Sequence, residues 1–138
     1  MLIRMKLALY NHLIMYSRHK LPDEACGFIL GESADFGYQA TYLVPIDNVS
    51  PCPQHQFLME PSQMMKALFS PDKKIIGIFH SHPLSEGIPS DEDLQSHWHT
   101  LPTHWIMSFQ TQQPSLSIFH IKRAPLTSPR KLSFEIDQ

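Results

Sequence analysis

Two histidines stand one residue apart at the end of an apolar run, Ile75-Ile76-Gly77-Ile78-Phe79-His80-Ser81-His82-Pro83, and an acidic cluster follows at Pro89-Ser90-Asp91-Glu92-Asp93. The run is rich in β-branched residues and reads as a buried strand. In extended backbone alternate side chains point the same way, so His80 and His82 share a face. Two imidazoles on one face, with a carboxylate brought back by a short loop, are the ingredients of a three-ligand zinc site. Its fourth position stays open for water, which is the catalytic pattern and not the structural one. A single histidine near a strand end is usually a surface or satisfied residue; two on one face before an acid-bearing helix start favour metal.

The elements that must position these groups follow from the residues between them. Pro83, Ser85, Gly87 and Pro89 break any regular period, so the strand gives way to a loop. Ser90 has the character of an N-cap, with Asp91, Glu92 and Asp93 in the first helical turn, where carboxylates are favoured by the helix macrodipole. The residues alone do not choose between Asp91 and Asp93, which point in different directions around the helix.

The spacing His-x-His, seven residues, then Ser-x-x-Asp resembles the JAMM motif of the MPN metalloprotease family, present here as His80, His82, Ser90 and Asp93. The stretch Pro22-Asp23-Glu24-Ala25-Cys26-Gly27-Phe28-Ile29-Leu30-Gly31 resembles the first strand of its prokaryotic stand-alone members. Smaller matches lie at Pro45-Ile46-Asp47-Asn48 and Phe57-Leu58-Met59-Glu60-Pro61. The resemblance covers nearly the whole chain. It implies zinc held by His80, His82 and Asp93, with Glu24 as general base and Ser90 stabilising the oxyanion. It implies a cytidine-deaminase-like α/β sandwich, a mixed and largely antiparallel curved sheet flanked by helices. It also implies hydrolysis of an amide bond after the C-terminal tail of a ubiquitin-like or sulfur-carrier protein ending in Gly-Gly. The alternative is a non-catalytic module of the same family that dimerises or scaffolds a complex; a homodimer is left open.

Other chemistry is weaker. The His-x-Glu and Pro-Cys-x-x-Cys pair of zinc deaminases is missing, as is the His-Glu-x-x-His helix of other zinc proteases. Cys26 could be a thiol nucleophile, but it lies in an apolar run without a cationic neighbour to lower its pKa, so a buried core thiol is the better reading. With Cys52 it is expected as a free thiol.

A chain of 138 residues with 42% hydrophobic residues is the size of one ordinary domain. Net charge is −2 and the basic residues form no block, so nothing argues for a nucleic-acid partner. Apolar stretches are strand-length, below the roughly 18 residues of a membrane-spanning helix. Asn11 and His12 interrupt what would be a secretory apolar core. The expectation is a cytoplasmic protein that is neither a membrane nor a nucleic-acid binder.

Apolar positions at Leu2, Met5, Leu9, Leu13 and Tyr16 predict a first helix over about Leu2–Arg18. Strands are expected at Glu24–Leu30, Tyr38–Val44, His55–Met59, Lys74–His80, His104–Phe109, Leu116–Ile121 and Lys131–Ile136. Two further helices are expected at Pro61–Phe69 and from Ser90 to about His99.

Overall fold

Leu2–Lys6 is a strand, β1, and not the first turns of a helix. Ile3 and Met5 are fully buried while Leu2 and Arg4 next to them are only partly so, the alternation of extended backbone. Leu2, Met5 and Leu9 fit the helical interval while Ile3 and Met5 fit the extended one, and pairing on two sides decides for the strand. The helix starts at Leu7 and runs to Lys20 as α1, burying Leu9, Leu13 and Ser17.

The computed structural model describes residues 1–138 except 73, 96 and 123–126. After α1 come β2 (Cys26–Ala34), β3 (Gly37–Ile46), α2 (Pro61–Leu68), β4 (Ile75–His82), α3 (Asp91–Gln95), a 3-10 turn at His97–Thr100, β5 (Thr103–Ser108), β6 (Ser115–Lys122) and β7 (Ser128–Asp137). The sheet curves until it closes into a barrel in the order β1-β3-β2-β4-β5-β6-β7. β1 runs parallel to β3 and to β7, and β4 parallel to β5. The other four pairings are antiparallel.

Mixed, largely antiparallel and curved is what the sequence suggests; closure through β1 is not. Three further expectations are corrected. His55–Met59 forms no strand, and only Met59 bridges, to Asn48. β2 continues through Gly31–Ala34, beyond its expected end at Leu30. The third helix is the short α3, with residue 96 outside the described residues before the 3-10 turn.

β4 threads between two apolar clusters. Phe79 packs with Ile3, Met5, Leu13 and Trp105 in the cluster that α1 covers. Ile78 packs with Phe28, Ile46 and Ala67 on the α2 side, where Trp98 meets Phe28 edge-on at 5.3 Å. Each fully buried side chain of this size stabilises the fold by about 1.5–3 kcal/mol, so the strand that presents the histidines is anchored on both faces. Gly77 permits it to lie close to β5, since a Cβ there would collide with the Thr103 hydroxyl. Among the described residues no helix is long and apolar enough to cross a membrane.

Candidate metal centre

β4 runs through both histidines to its last residue, His82, so the rings of His80 and His82 lie on one face of the sheet, each only 4% exposed. Their Nε2 atoms are 3.0 Å apart. Asp93 Oδ2 comes within 3.2 Å of the first and 3.3 Å of the second. A tetrahedral ion with bonds of about 2.0–2.1 Å has ligand–ligand edges of about 3.3–3.4 Å, close to the triangle these three atoms make.

The proton on His82 is placed by its other nitrogen. Nδ1 donates to the Glu86 carbonyl oxygen at 2.7 Å, which leaves the Nε2 lone pair facing the triangle. Phe57 stacks on the His80 ring at 4.8 Å and fixes its plane. Two imidazole nitrogens and one carboxylate oxygen are a donor set for zinc, and the residues present fit that ion.

Asp93 reaches the histidines because Ser90 caps α3. The Asp93 N–H donates to Ser90 Oγ at 3.1 Å, and the Ser90 N–H donates to Asp93 Oδ2 at 2.8 Å, a reciprocal capping box. Burial pushes the Asp93 carboxyl up, but His80, His82 and the Ser90 N–H outweigh it and hold it well below the usual carboxylate range. Asp91, which the residues alone could not separate from Asp93, is exposed.

Glu24 comes to the same place by register. β2 and β4 pair Gly27 with Phe79 and Cys26 with His80, and one residue on, the Ser81 N–H donates to the Ala25 carbonyl, which leaves Glu24 just beyond the end of that ladder, beside the histidines. Glu24 is 6% exposed, and burial pushes its carboxyl up to about 7 against the pull of the two histidines. Its backbone is clamped: the N–H donates to Pro53 O at 2.7 Å and the carbonyl accepts from Asn48 Nδ2 at 3.0 Å. Glu24 and Asp93 line a cleft of about 260 Å³ with His55, Gln56, Phe57 and Trp98. His82 and Ser90 line a second, of about 500 Å³, on the side of Leu84 and Ile88.

The structure thus brings together all five residues singled out in the sequence. Cys26 is not part of the group in chemical terms. It is fully buried, its thiol donates to Ile46 O at 3.3 Å, and burial pushes it up to about 12. Sequence reasoning missed the residues that hold the site in shape. Asn48 stands in a quoted match without a role, yet its amide also donates to Gln56 O and its Oδ1 accepts from Ser50 and Leu58 N–H groups. Gln56 in turn donates to Glu92 at 3.0 Å and joins this loop to α3. A lone asparagine after a strand gives no signal of this kind.

The family model described as prokaryotic homologs of the JAB domain matches residues 6–122, a span that holds Glu24, both histidines, Ser90 and Asp93. The chain belongs to that family. Within it, the chain is 27% identical over 96 residues to a probable TtuB-protein conjugate cleaving protease of Thermus thermophilus, covering 62% of this chain and 65% of that protein. It is 31% identical over 75 residues to a desampylase of Haloferax volcanii, 52% of each chain. The matches thus span less than two thirds of the length of either relative. The solution structure of protein DSY2949 from Desulfitobacterium hafniense superposes with a TM-score of 0.83 at 24% identity, covering 99% of this chain and 93% of that one. A structure described as a JAMM metalloprotease-like zinc site in the proteasome and signalosome gives 0.57 at 20% identity, covering 98% and 99%. These two likenesses establish the JAB-type fold.

Proposed function

We propose that the chain is a zinc-dependent peptidase or isopeptidase that hydrolyses the amide bond after the C-terminal tail of a ubiquitin-like or sulfur-carrier protein. The observation that carries this reading is the set of three ligand atoms of His80, His82 and Asp93, 3.0 to 3.3 Å apart, in a site whose buried neighbouring carboxylate is Glu24.

His80, His82 and Asp93 would hold the ion. Bound there, zinc would supply an acidified water, with a pKa near 7, and a Lewis acid for the scissile carbonyl. Glu24, a buried carboxyl beside the three ligands, takes the proton from the attacking water and returns it to the leaving amine. Ser90 Oγ accepts from the Asp93 N–H, so its own hydrogen is free to donate to the carbonyl oxygen as negative charge develops there.

The kind of substrate is supported by the names of the two relatives, one a protease of TtuB-protein conjugates and the other a desampylase. The 260 Å³ cleft beside Glu24, walled by Phe57 and Trp98, favours a tail of small residues, as a Gly-Gly terminus would be. Further parts of the same proposal are a cytoplasmic site of action, a cytidine-deaminase-like α/β sandwich as the fold class, and one domain over residues 1–138. The last is supported by the pairing of β1 with β7, which ties the two ends of the chain together.

The test is a zinc-loaded preparation mixed with a ubiquitin-like protein whose Gly-Gly end is joined to a reporter, by a peptide bond in one sample and through a lysine in another. Release after the second glycine, abolished in Glu24→Gln with zinc still bound, is expected. A fully zinc-loaded wild type that releases neither reporter would favour a non-catalytic scaffold.

A further inference from the structure

The ladder between β2 and β4 changes character where it reaches the site. Ser81 N–H donates to the Ala25 carbonyl at 3.0 Å, as a main-chain pairing would. The return bond is different: Ala25 N–H donates to the Ser81 side-chain Oγ, at 2.8 Å. Ser81 is fully buried and lies between the two histidines in sequence. Its side chain points to the opposite face of β4, so it does not share their face of the sheet.

Ala25 follows Glu24 directly. The two hydrogen bonds to the Glu24 main chain are with the Pro53 carbonyl and the Asn48 side chain, both in the segment after β3. The Ser81–Ala25 pair, beyond the Cys26–His80 pair, is therefore the last link of the ladder that joins the backbone beside the carboxylate to the strand carrying the two imidazoles. The Ala25 N–H is buried with it, and a buried donor deprived of its acceptor costs about 1–3 kcal/mol, so removal of the hydroxyl leaves either an orphaned amide or a displaced strand.

We propose that Ser81 is a positioning residue for the hydrolysis: its hydroxyl pins Ala25 to β4 and thereby sets where the Glu24 carboxylate stands relative to His80 and His82. Ser81 does not touch substrate or the reacting atoms. A misplacement of about 1 Å in a reacting group is enough to cost on the order of 100-fold in rate, which is the scale of effect such a pin controls. The consequence for rate rests on the hydrolase reading; the bond to Ala25 is measurable without it.

The experiment combines amide hydrogen exchange with kinetics on zinc-loaded protein. In wild type the Ala25 amide is protected. In Ser81→Ala it exchanges at least tenfold faster, while the Ile78 and Phe79 amides in the same strand stay within twofold and zinc remains at one per chain. In the same variant kcat on the Gly-Gly conjugate falls 10- to 100-fold with KM within threefold, and Ser81→Thr, which keeps the acceptor oxygen, recovers both rate and protection. Should Ser81→Ala not fold, Ser81→Cys keeps the volume with a weaker acceptor and is measured in the same way. Unchanged Ala25 exchange, or faster exchange with wild-type kcat, overturns the role of Ser81 alone. A wild type that holds zinc, protects Ala25 and hydrolyses no conjugate overturns the hydrolase reading, and the rate effect with it.

Discussion

Ser90 and Asp93 hold each other by two hydrogen bonds that run in opposite directions, 3.1 Å from the Asp93 N–H to Ser90 Oγ and 2.8 Å from the Ser90 N–H to Asp93 Oδ2. The second of these bonds ends on the oxygen that faces both histidines, so capping of α3 and aiming of the carboxylate are one arrangement. Ser90→Ala is expected to lower the stability of the metal-free protein by about 1 kcal/mol through the lost cap. It is expected to lower kcat by a further factor of about 100 through the lost donor to the oxyanion. Denaturant unfolding and steady-state kinetics measure the two separately. A variant with the stability loss and undiminished kcat would leave Ser90 as a cap only.

Glu24 gives the metal-free protein a pH dependence of known sign. Its ordinary value is 4.5 and burial raises it to about 7, so the folded state binds a proton that the unfolded state has lost between those values. Its contribution is fully present below about 4.5 and is lost as pH rises through 7, amounting to about 3 kcal/mol over the window. Asp93 acts in the opposite sense and elsewhere, since its contribution is lost only as pH falls below its ordinary 3.8. Unfolding of the chelator-treated protein between pH 4.5 and 7.5 should therefore show stability falling with pH, and Glu24→Gln should flatten that slope. Equal slopes in the two proteins would remove burial as the state of Glu24.

The two thiols are expected to differ sharply in reactivity. Cys26 is fully buried, hydrogen-bonded to Ile46 O and raised to about 12, whereas Cys52 is exposed between two prolines. Alkylation of native protein at pH 8 should modify Cys52 and spare Cys26, with both reacting after denaturation; peptide mapping shows which. Modification of Cys26 at a rate like that of Cys52 would mean that β2 opens next to Glu24.

What the chain discloses about itself before folding depends on whether a feature is local. His80, His82 and Ser90 are legible because strand alternation and a helix cap act over a few residues, and the loop between them is marked by prolines; only the likeness to a known motif separates Asp93 from Asp91. Glu24 is not legible in this way. Its place beside the histidines depends on the register of β2 against β4, and only the likeness to a known motif could supply that pairing. β1 is not legible because its apolar residues fit a helical interval that runs on into Leu9 as well as an extended one, and its partners, β3 and β7, lie more than thirty residues away or at the other end of the chain. For the same reason Asn48 and Ser81 gave no sign: each acts through bonds to backbone that is distant in sequence.

The metal content of the purified protein tests the central claim most directly. Wild type dialysed against chelator-free buffer, then measured by elemental analysis, should retain one zinc per chain, as should Glu24→Gln. His80→Ala, His82→Ala and Asp93→Ala should each retain less than a tenth of that while remaining folded. A wild type that takes up no zinc, or ligand variants that bind as much as wild type, would contradict the assignment of these three side chains to a common ion.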